Sequence, residues 1–200
     1  MKIGIVGGTF NPIHIGHLML GEYAYNELTL DEVWYMPNGN PPHKEINDIN
    51  VSADRRAVMT KLAIDGVEHF RFSSFEIEKE HVSYSFSTME ELKKIYPEHT
   101  FYFIVGSDSL LDIEKWRCPE RLFATCHIIA ACRDSQDVAP FHKQIQHLNE
   151  KFHSNIELLP MPLFEMSSSD IRDRVRNKKS IKYIVPDSVG AYIIEEKLYI

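Results

Sequence analysis

The stretch GGTFNPIHIGH, residues 7–17, combines residue types that an ordinary turn does not need. Gly7 and Gly8 permit a close backbone approach that a Cβ would forbid. A helix starting near Gly16 offers free N–H groups and a partial positive charge to an anion. His14 and His17 sit at that mouth, where neutral imidazoles donate to phosphate oxygens and such bonds strengthen as charge grows in a transition state. The same spacing suits two histidines on a helix surface. A zinc site would need two further ligands, and no cysteine or second histidine pair with the right spacing supplies them. The chemistry that fits is phosphate binding.

Other segments carry related chemistry. SSSDIR (167–172) is a serine cluster able to cap a helix, followed one turn later by Arg172, whose planar fork matches phosphate oxygens. In GSDS (106–109), Gly106 and Asp108 follow a strand, where an Asp caps a helix or grips ribose hydroxyls. Trp116 reads as a packing anchor or a stacking plate, and Lys44 as a solvated loop lysine or an anion partner.

Positioning these groups takes a regular scaffold. Short β-rich runs at 2–6, 32–36, 69–73, 100–105, 126–131 and 155–159 alternate with amphipathic segments near 16–28, 52–65, 86–96, 138–151, 168–177 and 187–197. Nearly continuous apolar strands separated by helices predict a mostly parallel sheet, doubly wound and Rossmann-like, with helices on both faces. In that class ligands bind beyond the carboxyl ends of the strands, where strand order reverses. Ser52 is placed to cap the second helix, and Ser87 with Glu90 has capping-box spacing at the third, which Pro97 stops. Pro186 fits a first helical turn. The stretch 37–51 reads as a long functional loop.

Composition limits the alternatives. The 200 residues, 44% hydrophobic, predict one domain over 1–200, with a small helical portion from about 167 to 200 packed on it. A formal charge of −7 argues against a nucleic-acid partner, because phosphate-backbone affinity needs many cations. Cys118, Cys126 and Cys132 lack C-x-x-C spacing, so free thiols in a reducing, cytoplasmic setting are expected. No run approaches the roughly 20 apolar residues of a membrane span. A homo-oligomer is compatible with the sequence.

The set HxGH (14–17) with SSSDIR resembles the nucleotidyltransferase superfamily of adenylyl- and cytidylyltransferases. More narrowly, NPPHK (40–44), SYSFSTM (83–89) and FIVGSDSLLDIEKW (103–116) are similar to the bacterial nicotinate mononucleotide adenylyltransferase family over nearly the whole chain. The resemblance implies a reaction between ATP, carrying Mg²⁺, and nicotinate mononucleotide, giving nicotinate adenine dinucleotide and pyrophosphate. It implies that His14, His17, Lys44 and Arg172 act in catalysis. It places Gly7, Gly8, Thr9, Phe10, His14, His17, Gly106, Asp108, Ser168 and Arg172 around ATP. Nicotinate mononucleotide falls to Asn11, Lys44, Tyr84, Thr88, Trp116 and Arg133. Met166 and Met89 depart from the usual aliphatics, and Asp134-Ser135 stands where Pro-Gly is frequent. The competing expectations are another phosphorylated acceptor, such as pantetheine phosphate or flavin mononucleotide, and a module that binds adenine nucleotides without turnover.

Overall fold

The computed structural model describes residues 1–39, 51–79, 82–133, 138–162 and 166–200, and of Ser107, Asp108 and Arg133 the backbone alone. Strands β1 (Lys2–Gly8), β2 (Glu32–Pro37), β3 (Phe70–Phe72), β4 (Thr100–Gly106), β5 (His127–Arg133) and β6 (Ile156–Met161) form one sheet in the order β3-β2-β1-β4-β5-β6. Pairing is parallel between β1 and β4, β4 and β5, and β5 and β6, with Ile3 opposite Phe101 and Ile128 opposite Ile156. The expected doubly wound α/β class is therefore the observed one. Strand order reverses between β1 and β4, the strands that end in Gly8 and Gly106.

Helices α1 (Ile15–Glu27), α2 (Ala53–Ile64), α3 (Ser85–Ile95), α4 (Ser107–Asp112), α5 (Pro119–Phe123), α6 (Ala139–Phe152), α7 (Ser168–Arg176) and α8 (Asp187–Glu195), with a 3-10 turn at Ile113–Lys115, supply the remaining described elements. Among the described residues no helix is long and apolar enough to cross a membrane. Two of the helices, α4 and α5, escape a periodicity reading because they are shorter than two turns. Ser52 does cap α2, its hydroxyl accepting from the Arg55 N–H at 3.4 Å. The capping box expected at Ser87 and Glu90 is not formed. Tyr84 is the N-cap of α3, and Ser87 lies inside the helix with its hydroxyl donating to Glu91 at 3.1 Å. Pro186 takes the N-cap of α8 rather than its first turn. All three cysteines are free, Cys126 and Cys132 buried and Cys118 half-buried.

The chain divides into two compact units. One comprises Met1–Gly7, Leu20–Trp34 and Tyr84–Leu163. Its core is the apolar strand set Ile3, Ile5, Phe101, Ile104, Ile128, Ile129 and Ala130. Consecutive buried residues 128–130 show that β5 is covered on both faces. On this unit Arg121 grips the Glu90 carboxylate through two nitrogens, at 2.7 and 2.6 Å, joining α5 to α3.

The other unit comprises Gly8–Met19, Tyr35–Ser83 and Phe164–Ile200. Its α2 buries Arg56, Met59, Thr60, Ala63 and Ile64, a stripe at helical spacing. Val189 and Ile193 of α8 and Ile171 of α7 are buried in the same unit. The Ser188 hydroxyl, in the first turn of α8, donates to the Leu62 carbonyl at 3.0 Å.

Candidate active site

The loop after β1 turns sharply over its own glycine. A Cβ on Gly8 would lie 2.8 Å from the Phe10 ring, so only glycine lets that ring fold back. Phe10 itself has φ 48°, a left-handed backbone that costs a side-chain-bearing residue roughly 1–2 kcal/mol. Burial holds it there: the ring is 2% exposed and meets His17 edge-on at 5.0 Å and Tyr35 at 6.3 Å. Asn11 and Pro12 follow, joined by a cis peptide bond.

One backbone N–H and four side chains from distant parts of the same unit tie down the oxygen atoms of this loop. The Gly8 carbonyl accepts from the Asn38 N–H at 2.9 Å. The Thr9 carbonyl accepts from Arg56 Nη1 at 2.7 Å, the Asn11 carbonyl from Arg172 Nη1 at 2.8 Å, and the Pro12 carbonyl from Ser168 Oγ at 2.9 Å. Asn11 Oδ1 accepts from the Tyr199 hydroxyl at 2.8 Å. By contrast, the N–H groups of Phe10 and Asn11 have no acceptor among the described residues. With these acceptors consumed and donors left over, the loop is matched to an anion.

The histidines complete it. The His14 carbonyl accepts from the N–H of His17 at 2.9 Å, which starts α1. Its own N–H donates to His17 Nδ1 at 3.2 Å. That bond requires a lone pair on Nδ1, so the proton of neutral His17 sits on Nε2, where it can be donated outward. The two rings lie 3.7 Å apart, tilted by 30°. Burial pulls the His14 pKa down to about 4. Burial, and then the neighbouring His14, pull His17 well below its ordinary value. Both are neutral at pH 7, and His14 Nδ1 is buried without a partner among the described residues. Gly16 is needed here, because a Cβ would press on the His14 ring at 3.1 Å. The Tyr35 hydroxyl, 3.2 Å from the carbonyls of both His17 and Leu18, fixes the first turn of α1.

In SSSDIR the work is divided. Ser167 caps α7, accepting from the Asp170 N–H at 3.1 Å, which leaves Ser168 and Arg172 to face the first loop. Residues 14, 17, 168 and 172 thus converge on one loop. Arg56 and Tyr199 belong to the same constellation, and the sequence reading misses both. A signal exists for Arg56, a charge occupying a position of the apolar stripe of α2. None marks Tyr199.

The other predicted residues lie in the first-described unit, apart from Lys44, which falls outside the described residues. Tyr84 caps α3, and Thr88, 1% exposed, is one turn further on. Arg117 Nη1 donates to the Tyr84 hydroxyl at 2.9 Å, with its guanidinium 4.7 Å from the ring centroid. Trp116 meets Phe103 edge-on at 6.3 Å, a packing contact in keeping with an anchor. Gly106 caps α4, and a Cβ there would touch nothing within 4 Å. A Cβ on Gly7 would make only ordinary contact with Phe103, 3.7 Å away. Asp108 is in the first turn of α4, and Arg133 ends β5.

Fold and loop define a nucleotidyltransferase class: residues 5–174 match the family described as cytidylyltransferase-like. A protein of Lachnoclostridium phytofermentans named "Probable nicotinate-nucleotide adenylyltransferase" is 42% identical over 199 residues, covering 100% of this chain and 99% of the relative. Proteins of the same name from Desulfitobacterium hafniense and Bacillus licheniformis are each 38% identical over 99% of this chain, covering 95% and 98% of their own lengths. The chain belongs to the nicotinate-nucleotide adenylyltransferase family. Its fold is shared with Plasmodium falciparum nicotinic acid mononucleotide adenylyltransferase. In complex with NaAD that structure has a TM-score of 0.80 at 23% identity, over 99% of this chain and 97% of the other. In complex with APC the TM-score is 0.78, over 99% and 96%.

Proposed function

We propose that this chain transfers the adenylyl group of ATP to the phosphate of nicotinate mononucleotide, a step of NAD biosynthesis. An oxygen of the acceptor phosphate forms the new bond to the α-phosphorus. The bond from that phosphorus to the β-phosphate oxygen breaks, and its electron pair leaves with pyrophosphate. No covalent enzyme intermediate is required, because a phosphate monoester is already a nucleophile.

The obstacle is repulsion. Two unit charges about 4 Å apart oppose each other by roughly 4 kcal/mol at an effective dielectric near 20. Catalysis is therefore positioning plus a fixed array of donors. The observation that carries the reading is the loop whose Thr9, Asn11 and Pro12 carbonyls are consumed by side-chain donors while a neutral His17 holds its proton on Nε2. His17 donates that proton to an α-phosphate oxygen as a hydrogen bond, strongest when charge develops. His14, the backbone N–H of Ser168 at the start of α7, and the remaining N–H groups of Arg172 hold the departing phosphates, the Ser168 hydroxyl being spent on the Pro12 carbonyl. Gly7, Gly8, Thr9 and Phe10 carry the backbone face of the nucleotide. Gly106 and Asp108 take the ribose. Asn11, Lys44, Tyr84, Thr88, Trp116 and Arg133 take the mononucleotide.

Mg²⁺ belongs to the substrate in this scheme, screening the triphosphate charge. The donor set of the loop, N–H and O–H groups, suits phosphate oxygens and not a bare cation. Among the described residues no cluster of three His, Cys, Asp or Glu side chains could hold a metal. The chain is assigned to the cytoplasm, acting as a single catalytic domain. Mass-spectrometric identification of products from pure protein, MgATP and nicotinate mononucleotide tests the reading. Nicotinate adenine dinucleotide supports it, whereas product only with pantetheine phosphate or flavin mononucleotide, or none with any acceptor, refutes it.

A further inference from the structure

Arg56 is the largest fully buried side chain among the described residues, 1% exposed, yet it carries a charge. Burying a guanidinium is expensive unless a carboxylate or a full set of hydrogen bonds compensates. No carboxylate does so among the described residues. Its partners are oxygen dipoles: Nη1 reaches the Thr9 carbonyl at 2.7 Å and Asn38 Oδ1 at 3.5 Å, and Nη2 reaches the Gly39 carbonyl at 3.1 Å. Nε is buried with no partner among the described residues. A group bonded this incompletely by the described residues, kept where an apolar residue would continue the α2 stripe, gains little stability from those bonds alone.

Its contacts show what it does instead. Thr9 precedes Phe10, the residue held in the left-handed region, and Asn38 and Gly39 follow β2. One planar fork therefore bolts the loop after β1 to the loop after β2. Strained backbone persists only where its surroundings over-determine it. Here the peptide joining Thr9 to Phe10 is fixed by Arg56, while the carbonyl two residues on, that of Asn11, is fixed by Arg172.

We propose that Arg56 is a positioning residue of the nucleotide loop. Its fork holds the Thr9 carbonyl so that the Phe10 ring stays on His17, and its charge, paired with no carboxylate among the described residues, favours a polyphosphate on that loop. The proposal rests on the adenylyl-transfer reading for the identity of the ligand. It separates two roles that different substitutions remove. Lysine keeps the charge but not the planar fork, whereas methionine keeps neither.

The test compares Arg56→Lys and Arg56→Met with the wild type in three readouts. These are melting temperature, binding of fluorescent mant-ATP with Mg²⁺ in the absence of acceptor, and steady-state kcat with KM for ATP. In Arg56→Met both mant-ATP affinity and kcat fall by about tenfold or more, the scale of one lost charged hydrogen bond. In Arg56→Lys affinity stays within about threefold of wild type while kcat falls by at least about tenfold, because loop geometry and not charge is lost. Overturning results are a folded Arg56→Met within twofold of wild type in binding and kcat, or an Arg56→Lys that loses affinity as fully as methionine. If Arg56→Met does not fold, Arg56→Lys decides alone, and a wild-type kcat there ends the proposal. Should the wild type fail to turn over nicotinate mononucleotide, the function falls, while the mant-ATP arm still judges Arg56.

Discussion

Acid should loosen this protein through its two buried histidines, by a calculable amount. Unfolded histidine titrates near 6.5, whereas burial holds folded His14 at about 4. Between those values the unfolded chain binds a proton that the folded chain does not, so stability falls as pH falls. The contribution is intact above pH 6.5 and is lost progressively down to about pH 4. At pH 5 the linkage relation gives a loss of about 2 kcal/mol for His14 alone. His17, shifted in the same direction, adds to it. In a chain of this size 2 kcal/mol lowers the melting temperature by roughly 4–8 °C. The assay is calorimetry of wild type and His14→Asn/His17→Asn at pH 7.5, 6 and 5. The difference between the two pH slopes isolates the histidines from the carboxylates, which titrate in both proteins. A double variant whose melting temperature falls as steeply with acid as that of the wild type would refute the reasoning.

The remaining predictions concern turnover. His17→Ala should lower kcat by about 100-fold or more, the scale of one lost transition-state donor, with a smaller change in KM for ATP; a change under threefold removes His17 from that role. Gly16→Ala places a methyl 3.1 Å from the His14 ring, and a kcat reduction of about tenfold is expected in a protein that still melts cooperatively. Trp116→Ala should raise KM for nicotinate mononucleotide by about tenfold and leave KM for ATP within twofold, consistent with stacking energies of about 1–3 kcal/mol; equal changes in both would assign Trp116 to packing alone.

Much of the fold, and the centre of the candidate site, can be read from the order of residues alone. The six strands and the longer helices follow from apolar runs and periodicity, because burial on two faces or one dictates which residues those positions accept. The loop at residues 7–17 is legible because its residue types conflict with a purely structural turn. What escapes does so for physical reasons. Short helices such as α5 are set by tertiary contacts, here Arg121 with Glu90, and not by local period. Ser87 and Glu90 match a spacing rule, but the hydroxyl of Ser87 finds Glu91 instead. Arg56 looks like surface because charge is read as solvation. Tyr199 meets Asn11 across 188 residues of sequence, and no local pattern encodes such a pairing.

That separation has a consequence for synthesis. The loop at residues 8–12 is made before the groups that tie it down, Ser168, Arg172 and Tyr199, and the N–H of Ile15 awaits the carbonyl of Ile184. At ribosomal speeds of about 5–20 residues per second, roughly 10 to 40 s pass between Asn11 and its partner Tyr199. Throughout that interval the nascent chain carries its histidines without the clasp that arranges them. A chain that stops short of Ser168 lacks all three of these ties, and its loop has no clasp to receive it.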